Sequence, residues 1–121
     1  VYAPGEMAEI RANPELLHRA VENVVRNALR FSAAGGAIYI AAGRVDGEHF
    51  KISIGDDGPG VPDSQLENIF KPFFRGDAQN TAGGYGLGLA IAQRVIAAVN
   101  GKIQAKNKGS GGLLVEIDLP L

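Results

Sequence analysis

The chain has 121 residues, of which 45% are hydrophobic, enough for one domain with a single core. Twelve Lys and Arg against thirteen Asp and Glu leave a net charge of −1, which argues against a basic nucleic-acid footprint and a polybasic membrane surface. There is no Cys for disulfides or thiolate metal sites, the two His are isolated, and no apolar run nears the roughly 18 residues of a membrane span.

In chain order, residues 9–12 read as a short strand. Asn13-Pro14 supplies an N-cap followed by Pro at the first helical position, and the helix is expected over 14–31. Leu17, Val21, Val24 and Ala28 recur at helical spacing as its buried stripe. Ile38, Ile40 and Ala42 alternate with Tyr39 and Ala41, so a strand follows. Asp46-Gly47 centres a hairpin turn, and Phe50, Ile52 and Ile54 form the returning strand, which delivers the chain to Asp56. A short helix is expected over 62–68 and a polar loop over 75–83. A second helix is expected over 87–99, with Leu87, Ile91, Val95 and Ala98 on one face, and Asn100-Gly101 stops it. Strands over 102–106 and 113–119, joined by a turn, complete the chain. Tight turns between strands point to antiparallel pairing, and one sheet with helices on one face makes an α+β fold.

Three constellations carry chemistry. Asn23 and Asn27 lie four residues apart on the first helix, each one residue before a core position, so both amides face the same way at the edge of the apolar stripe. They suit a hard cation, its waters or phosphate; the competing reading is a pair of solvent-facing amides. Asp56-Asp57-Gly58-Pro59-Gly60 puts a carboxylate at a strand end, able to accept from an exocyclic amine such as that of adenine; it is also good chemistry for a plain surface turn. Gly84-Tyr85-Gly86-Leu87-Gly88-Leu89 runs into a helix and can face phosphate with backbone N–H groups, or simply be a helix-start loop. It matches neither the dinucleotide fingerprint nor the Walker A loop. Phe70, Phe73 and Phe74 read as core or as an anchor beside the polar loop, and Arg75 as a phosphate contact or a solvated side chain.

In order, Asn23-x-x-x-Asn27-Ala28, Asp56-x-Gly58-x-Gly60, Phe70-x-Pro72-Phe73-Phe74-Arg75 and Gly84-x-Gly86-x-Gly88 resemble the N, G1, F and G2 boxes of two-component sensor histidine kinases. The resemblance spans essentially the whole chain, and the stretch from Arg19 to Ser32 is especially similar to the envelope-stress sensor kinases.

The resemblance implies one catalytic domain over 1–121, a fragment of a larger sensor, with the two-layer α/β sandwich of the Bergerat (GHKL) fold, a mixed sheet and helices on one face. It implies ATP and Mg²⁺ as cofactors. Asp56 would read the adenine amine, Phe31 would pack near the base, Asn27 would hold Mg²⁺, and Asn23 and Arg30 would stand near the phosphates. Gly58, Gly60 and Val61 would line the base end. Phe74, Arg75, Gly84, Tyr85, Gly86, Leu87, Gly88 and Leu89 would belong to the lid and the phosphate-facing turn. The implied partners are a dimerisation and phosphoacceptor domain of the same parent and a downstream response regulator, with no nucleic acid and no direct membrane contact. The implied setting is a cytoplasmic domain of an inner-membrane-anchored sensor.

Two positions qualify the resemblance. At the last turn, Leu113-Leu114 stand where Thr or Ser is more usual. At the other, ATPases of the superfamily and the anti-sigma-factor serine kinases carry a Glu four residues before the metal-binding Asn, and here that residue is Asn23, an amide without a basic lone pair. The substitution favours phosphoryl transfer to an imidazole over hydrolysis. A GHKL-type ATPase and a nucleotide-binding module without chemistry are the alternatives.

Overall fold

The computed structural model describes residues 12–32, 36–72, 88–109 and 111–121. The expected strand over 9–12 and loop over 75–83 fall outside those residues, apart from Ala12.

Helix α1 (Pro14–Phe31) has the expected bounds. The Asn13 side chain accepts from the N–H groups of Glu15 at 2.9 Å and Leu16 at 3.2 Å, Pro14 occupies the first turn, and Arg30 complements the dipole in the last. Its fully buried residues are Ala20, Val24 and Ala28, while Leu17 and Val21 pack partly buried against them. Strand β1 (Tyr39–Arg44) and strand β2 (His49–Gly55) are joined by a turn in which Asp46 Oδ1 accepts from Glu48 N–H at 2.7 Å.

The single helix expected over 62–68 is two 3₁₀ turns, Asp63–Gln65 and Asn68–Phe70. Asn107 holds Asp63 at one end, and Ile69 and Phe70 are buried at the other. Between these anchors the segment closes through short bonds such as Gln65 N–H to Pro62 O at 2.8 Å.

Helix α2 (Gly88–Ala98) buries Leu89, Ala90, Ala92 and Ile96, not the expected face. Leu87 lies outside the described residues, Ile91 and Ala98 are exposed, and Val95 is half-buried. Aliphatic and Ala residues surround this helix almost completely, so the periodicity fits two faces equally. Packing selects the face with Ala92, which is fully buried in the cluster that also holds Ala20, Val24 and Ala28 of α1. Asn100 ends the helix with φ +64, and Gly101 lets β4 come close: a Cβ there would lie 2.6 Å from Asp118 O.

Strand β3 (Lys102–Asn107) and strand β4 (Leu113–Pro120) complete a sheet of order β1-β2-β4-β3. All three described pairings are antiparallel, which corrects the mixed sheet expected from the resemblance as far as these residues extend. The register aligns Ile40, Ile54, Val115 and Ala105 in one row and Ala42, Ile52, Ile117 and Ile103 in the next. These rows face the helices, and Ile54, Val115 and Ile117 join α1 and α2 in one apolar cluster. The opposite sheet face is polar, with Glu116 set between Lys51 at 3.6 Å and Lys106 at 3.3 Å. No described helix is long and apolar enough to cross a membrane.

Candidate functional site: the asparagine helix and the Asp56 turn

Strand β2 ends at Gly55, and Asp56 leaves the sheet with only 3% of its surface exposed. A buried carboxylate requires donors, and two backbone groups supply them. Asp56 Oδ1 accepts from Gly58 N–H at 2.8 Å and from Leu113 N–H at 3.3 Å. Both bonds fall on one oxygen, so among the described residues Oδ2 has no partner. Leu113 also takes Asp56 N–H on its carbonyl at 3.0 Å. At this turn it is the Leu113 backbone, not its side chain, that meets Asp56.

Two glycines make this geometry possible. At Gly58 a Cβ would lie 2.0 Å from the Phe31 carbonyl oxygen, so the end of α1 rests directly on the turn. At Gly112, with φ +92, a Cβ would lie 1.9 Å from the Asp56 carbonyl oxygen.

Along α1, Asn23, Asn27 and Phe31 are all half-buried and follow one another at single-turn spacing. Gly88, at the start of α2, abuts Asn23: a Cβ there would lie 3.7 Å from Asn23 Cβ. Gly88 and the Asp56 turn thus mark the two ends of one line, about 12 Å of helix axis from Asn23 to Phe31. Arg30 is exposed, with its guanidinium carbon 5.9 Å from the Phe31 ring centroid. Glu22 turns away from the Asn pair and bonds Arg26 at 3.2 Å on the exposed side of the helix.

Side chains from β1 and from the end of β3 hold the turn through contacts that have no signal in the local sequence. Asn107 accepts from Val61 N–H at 3.0 Å and donates to Val61 O at 2.6 Å and Asp63 Oδ1 at 2.9 Å. Lys108 Nζ donates to the Asp56 carbonyl at 2.9 Å, stands 3.5 Å from Asp57 Oδ1 and lies 4.5 Å from the Tyr39 ring centroid. Asp57 Oδ2 accepts from Ala37 N–H at 3.0 Å and from the Tyr39 hydroxyl at 3.2 Å. The Ala37 bond, with Tyr39 and the Lys108 charge, holds the Asp57 carboxyl below its ordinary value of 3.8 against a smaller opposing effect of desolvation.

Of the residues expected at the site, Asn23, Asn27 and Phe31 lie along α1, with Gly88 against Asn23 at one end and Gly58 against Phe31 and Asp56 at the other. Gly60, at φ +71, and Val61 follow Gly58 in the same turn. Leu89 buries its side chain in the core, leaving only its backbone available to a ligand. Phe74, Arg75, Gly84, Tyr85, Gly86 and Leu87 lie outside the described residues. Lys108, Asn107, Tyr39 and the Leu113 amide join the site only through contacts distant in sequence. A separate groove of about 1110 Å³, lined among others by Glu67, Arg94, Lys102 and Gln104, includes none of the expected site residues.

The fold and this site define a class: the chain belongs to the family of histidine kinase-, DNA gyrase B- and HSP90-like ATPases, whose profile matches residues 12–121. It is an ATP-binding domain of that family. It is 43% identical over 111 residues to the sensor histidine kinase CpxA of Escherichia coli strain K12, covering 90% of this chain and 24% of that protein. It is 37% identical over 107 residues to the signal transduction histidine-protein kinase BaeS of the same strain, covering 87% of this chain and 23% of that protein. The chain thus spans about a quarter of the length of these curated relatives. Among solved structures, the mycobacterial sensor histidine kinase MprB superposes with a TM-score of 0.86 at 31% identity, over 92% of this chain and 76% of that one. Full-length ShkA in complex with AMPPNP superposes with a TM-score of 0.80 at 29% identity, over 95% of this chain and 23% of that one.

Proposed function

We propose that this chain is the catalytic domain of a sensor histidine kinase, which binds Mg-ATP and donates the γ-phosphoryl group to a histidine on a separate dimerisation and phosphoacceptor domain of its parent. In this reading Asp56 Oδ2 accepts from the adenine amine, and Phe31 packs near the base beside Gly58, Gly60 and Val61. Asn23, Arg30 and the backbone from Gly84 to Leu89 face the phosphates, and Phe74 and Arg75 belong to the lid.

Asn27 is the residue that would hold Mg²⁺. The donor type suits that ion: an amide oxygen is a hard ligand, and Asn27 is the one residue expected to bind the metal. An ion held by so few protein ligands takes the rest from phosphate and water, as Mg²⁺ does. When bound it would neutralise charge on the phosphates.

The observation that carries the choice of reaction is that the residue one helical turn before Asn27 is an amide, Asn23, and not a carboxylate. Asn23 has no basic lone pair, and Glu22 is paired with Arg26 on the exposed side of the helix. An imidazole nitrogen needs no such base, because its own lone pair attacks phosphorus. The P–N bond forms as the bond from the γ-phosphorus to the β–γ bridging oxygen breaks, and the electron pair leaves with ADP. The residues of this chain contribute position and charge. A response regulator then takes the phosphoryl group from the histidine. The parent would be anchored in the inner membrane, with this domain in the cytoplasm and touching neither membrane nor nucleic acid.

Incubation with γ-labelled ATP tests the reading. The isolated chain is expected to stay unlabelled, while the added phosphoacceptor domain of its parent acquires acid-labile label. Strong labelling of the isolated chain, or ATP hydrolysis that Asn23→Ala abolishes, would overturn it in favour of a different chemistry.

A further inference from the structure

We propose that Lys108 is a positioning residue for base recognition, its ammonium group locking the Asp56 peptide so that the carboxylate presents Oδ2 in one direction; this rests on the reading of Asp56 given above. The Asp56 carbonyl lies beyond the end of the β2 ladder and against Gly112, where a missing donor would leave a backbone acceptor unsatisfied. Lys108 Nζ supplies that donor at 2.9 Å.

The ammonium group is itself held in place. It stands beside the Asp57 carboxylate and over the Tyr39 ring, and its side chain is only 19% exposed. Asp57 is fixed in turn by Ala37 N–H and the Tyr39 hydroxyl. Lys108 therefore ties the end of β3 and the start of β1 to the peptide between Asp56 and Asp57.

Its neighbour completes the clamp. Successive residues of an extended chain point to opposite faces, and Asn107 reaches the other way to hold Val61 and Asp63. The Lys108 backbone also closes the turn that presents Leu113, donating to Gly112 O at 2.9 Å. Two consecutive residues thus fix both ends of the segment that carries Asp56, Gly58 and Gly60. None of these contacts involves Asn23, Asn27 or Gly88, so Lys108 acts at the base end of the site alone.

The test compares the affinity of the chain for ATP with that for purine riboside triphosphate, which lacks the exocyclic amine. Lys108→Met keeps the stem over Tyr39 and removes the donor; it is expected to shrink the preference for ATP by about tenfold, while Lys108→Arg restores most of it. If Lys108→Met weakens both nucleotides equally, or leaves the preference intact, the role is merely structural and the proposal falls. Should Lys108→Met fail to fold, Asp57→Asn loosens the same anchor and must also shrink the preference; an unchanged ratio there overturns the proposal. If the unaltered chain does not prefer ATP, the Asp56 reading fails and the proposal fails with it.

Discussion

Leu113 donates its backbone N–H to Asp56 Oδ1 at 3.3 Å, although the two residues stand 57 positions apart. The segment leaving β2 and the start of β4 therefore meet at one carboxylate oxygen, and among the described residues the other oxygen has no partner. The fold aims the charge through main-chain donors, so the side chain at position 113 is free to be Leu and to enter the core.

Asp56→Asn retains an acceptor but loses its charge, and either orientation of the amide compromises one side of the arrangement. ATP affinity is expected to fall about 10- to 100-fold, as for loss of a hydrogen bond to a charged group. Calorimetric titration with ATP measures it, and full retained affinity would remove the adenine role of this residue.

Glycine substitutions should separate close approach from simple turn chemistry. At Gly112 an added Cβ meets Asp56 O and the backbone stands at φ +92, so Gly112→Ala is expected to cost on the order of 2–5 kcal/mol. At Gly47 nothing lies within 4 Å of the Cβ position, and Gly47→Ala is expected to change stability by no more than about 0.5 kcal/mol. Urea unfolding compares the two, and equal effects would contradict the close contact at Gly112.

Asn27→Ala is expected to weaken ATP binding about tenfold in Mg²⁺ and far less in EDTA, whereas Glu22→Gln should alter neither value. Glu22 engages only an exposed ion pair with Arg26, whose loss is worth little. A fluorescent ATP analogue titrated with and without Mg²⁺ reads the difference. Equal losses for Asn27→Ala in both buffers would remove the metal role.

The depressed carboxyl of Asp57 gives stability a defined dependence on pH. The unfolded chain binds a proton there at the ordinary value of 3.8, and the folded chain only at lower pH. The stabilisation is therefore fully present well above 3.8 and is lost as pH falls through the folded value. Asp46, lowered chiefly by Glu48 N–H, acts in the same direction. Urea midpoints of the unaltered chain and of Asp57→Asn should differ by a constant amount from neutral pH down to about 5 and converge at more acidic pH. A gap that widens on acidification would reverse the sign of this account.

The sequence makes features legible where a local rule governs them. Asn13-Pro14 marks the start of α1 because capping and fixed φ act within one turn, and Asp46-Gly47 marks the hairpin for the same reason. Asp56 is readable because alternation through Ile54 ends there. The buried face of α2 was hidden because Ala and aliphatic residues surround the helix, and only α1 packing against Ala92 decides between faces. The region over 62–68 reads as helical by composition, but anchoring at Asn107 and at Phe70 shortens it into 3₁₀ turns. Lys108, Asn107 and Tyr39 reach the Asp56 segment across 18 to 52 residues of sequence, and side chain-to-backbone bonds over such distances leave no periodic trace.

The most direct test of the central claim is amide chemical-shift mapping of the chain as Mg-ATP is added. The account predicts shifts concentrated at Asn23, Asn27, Phe31, Gly58 and Leu113, along the line from Gly88 to the Asp56 turn, with little change at Glu67, Arg94, Lys102 and Gln104. Shifts concentrated instead in that second groove, with Gly58 and Leu113 unmoved, would contradict it.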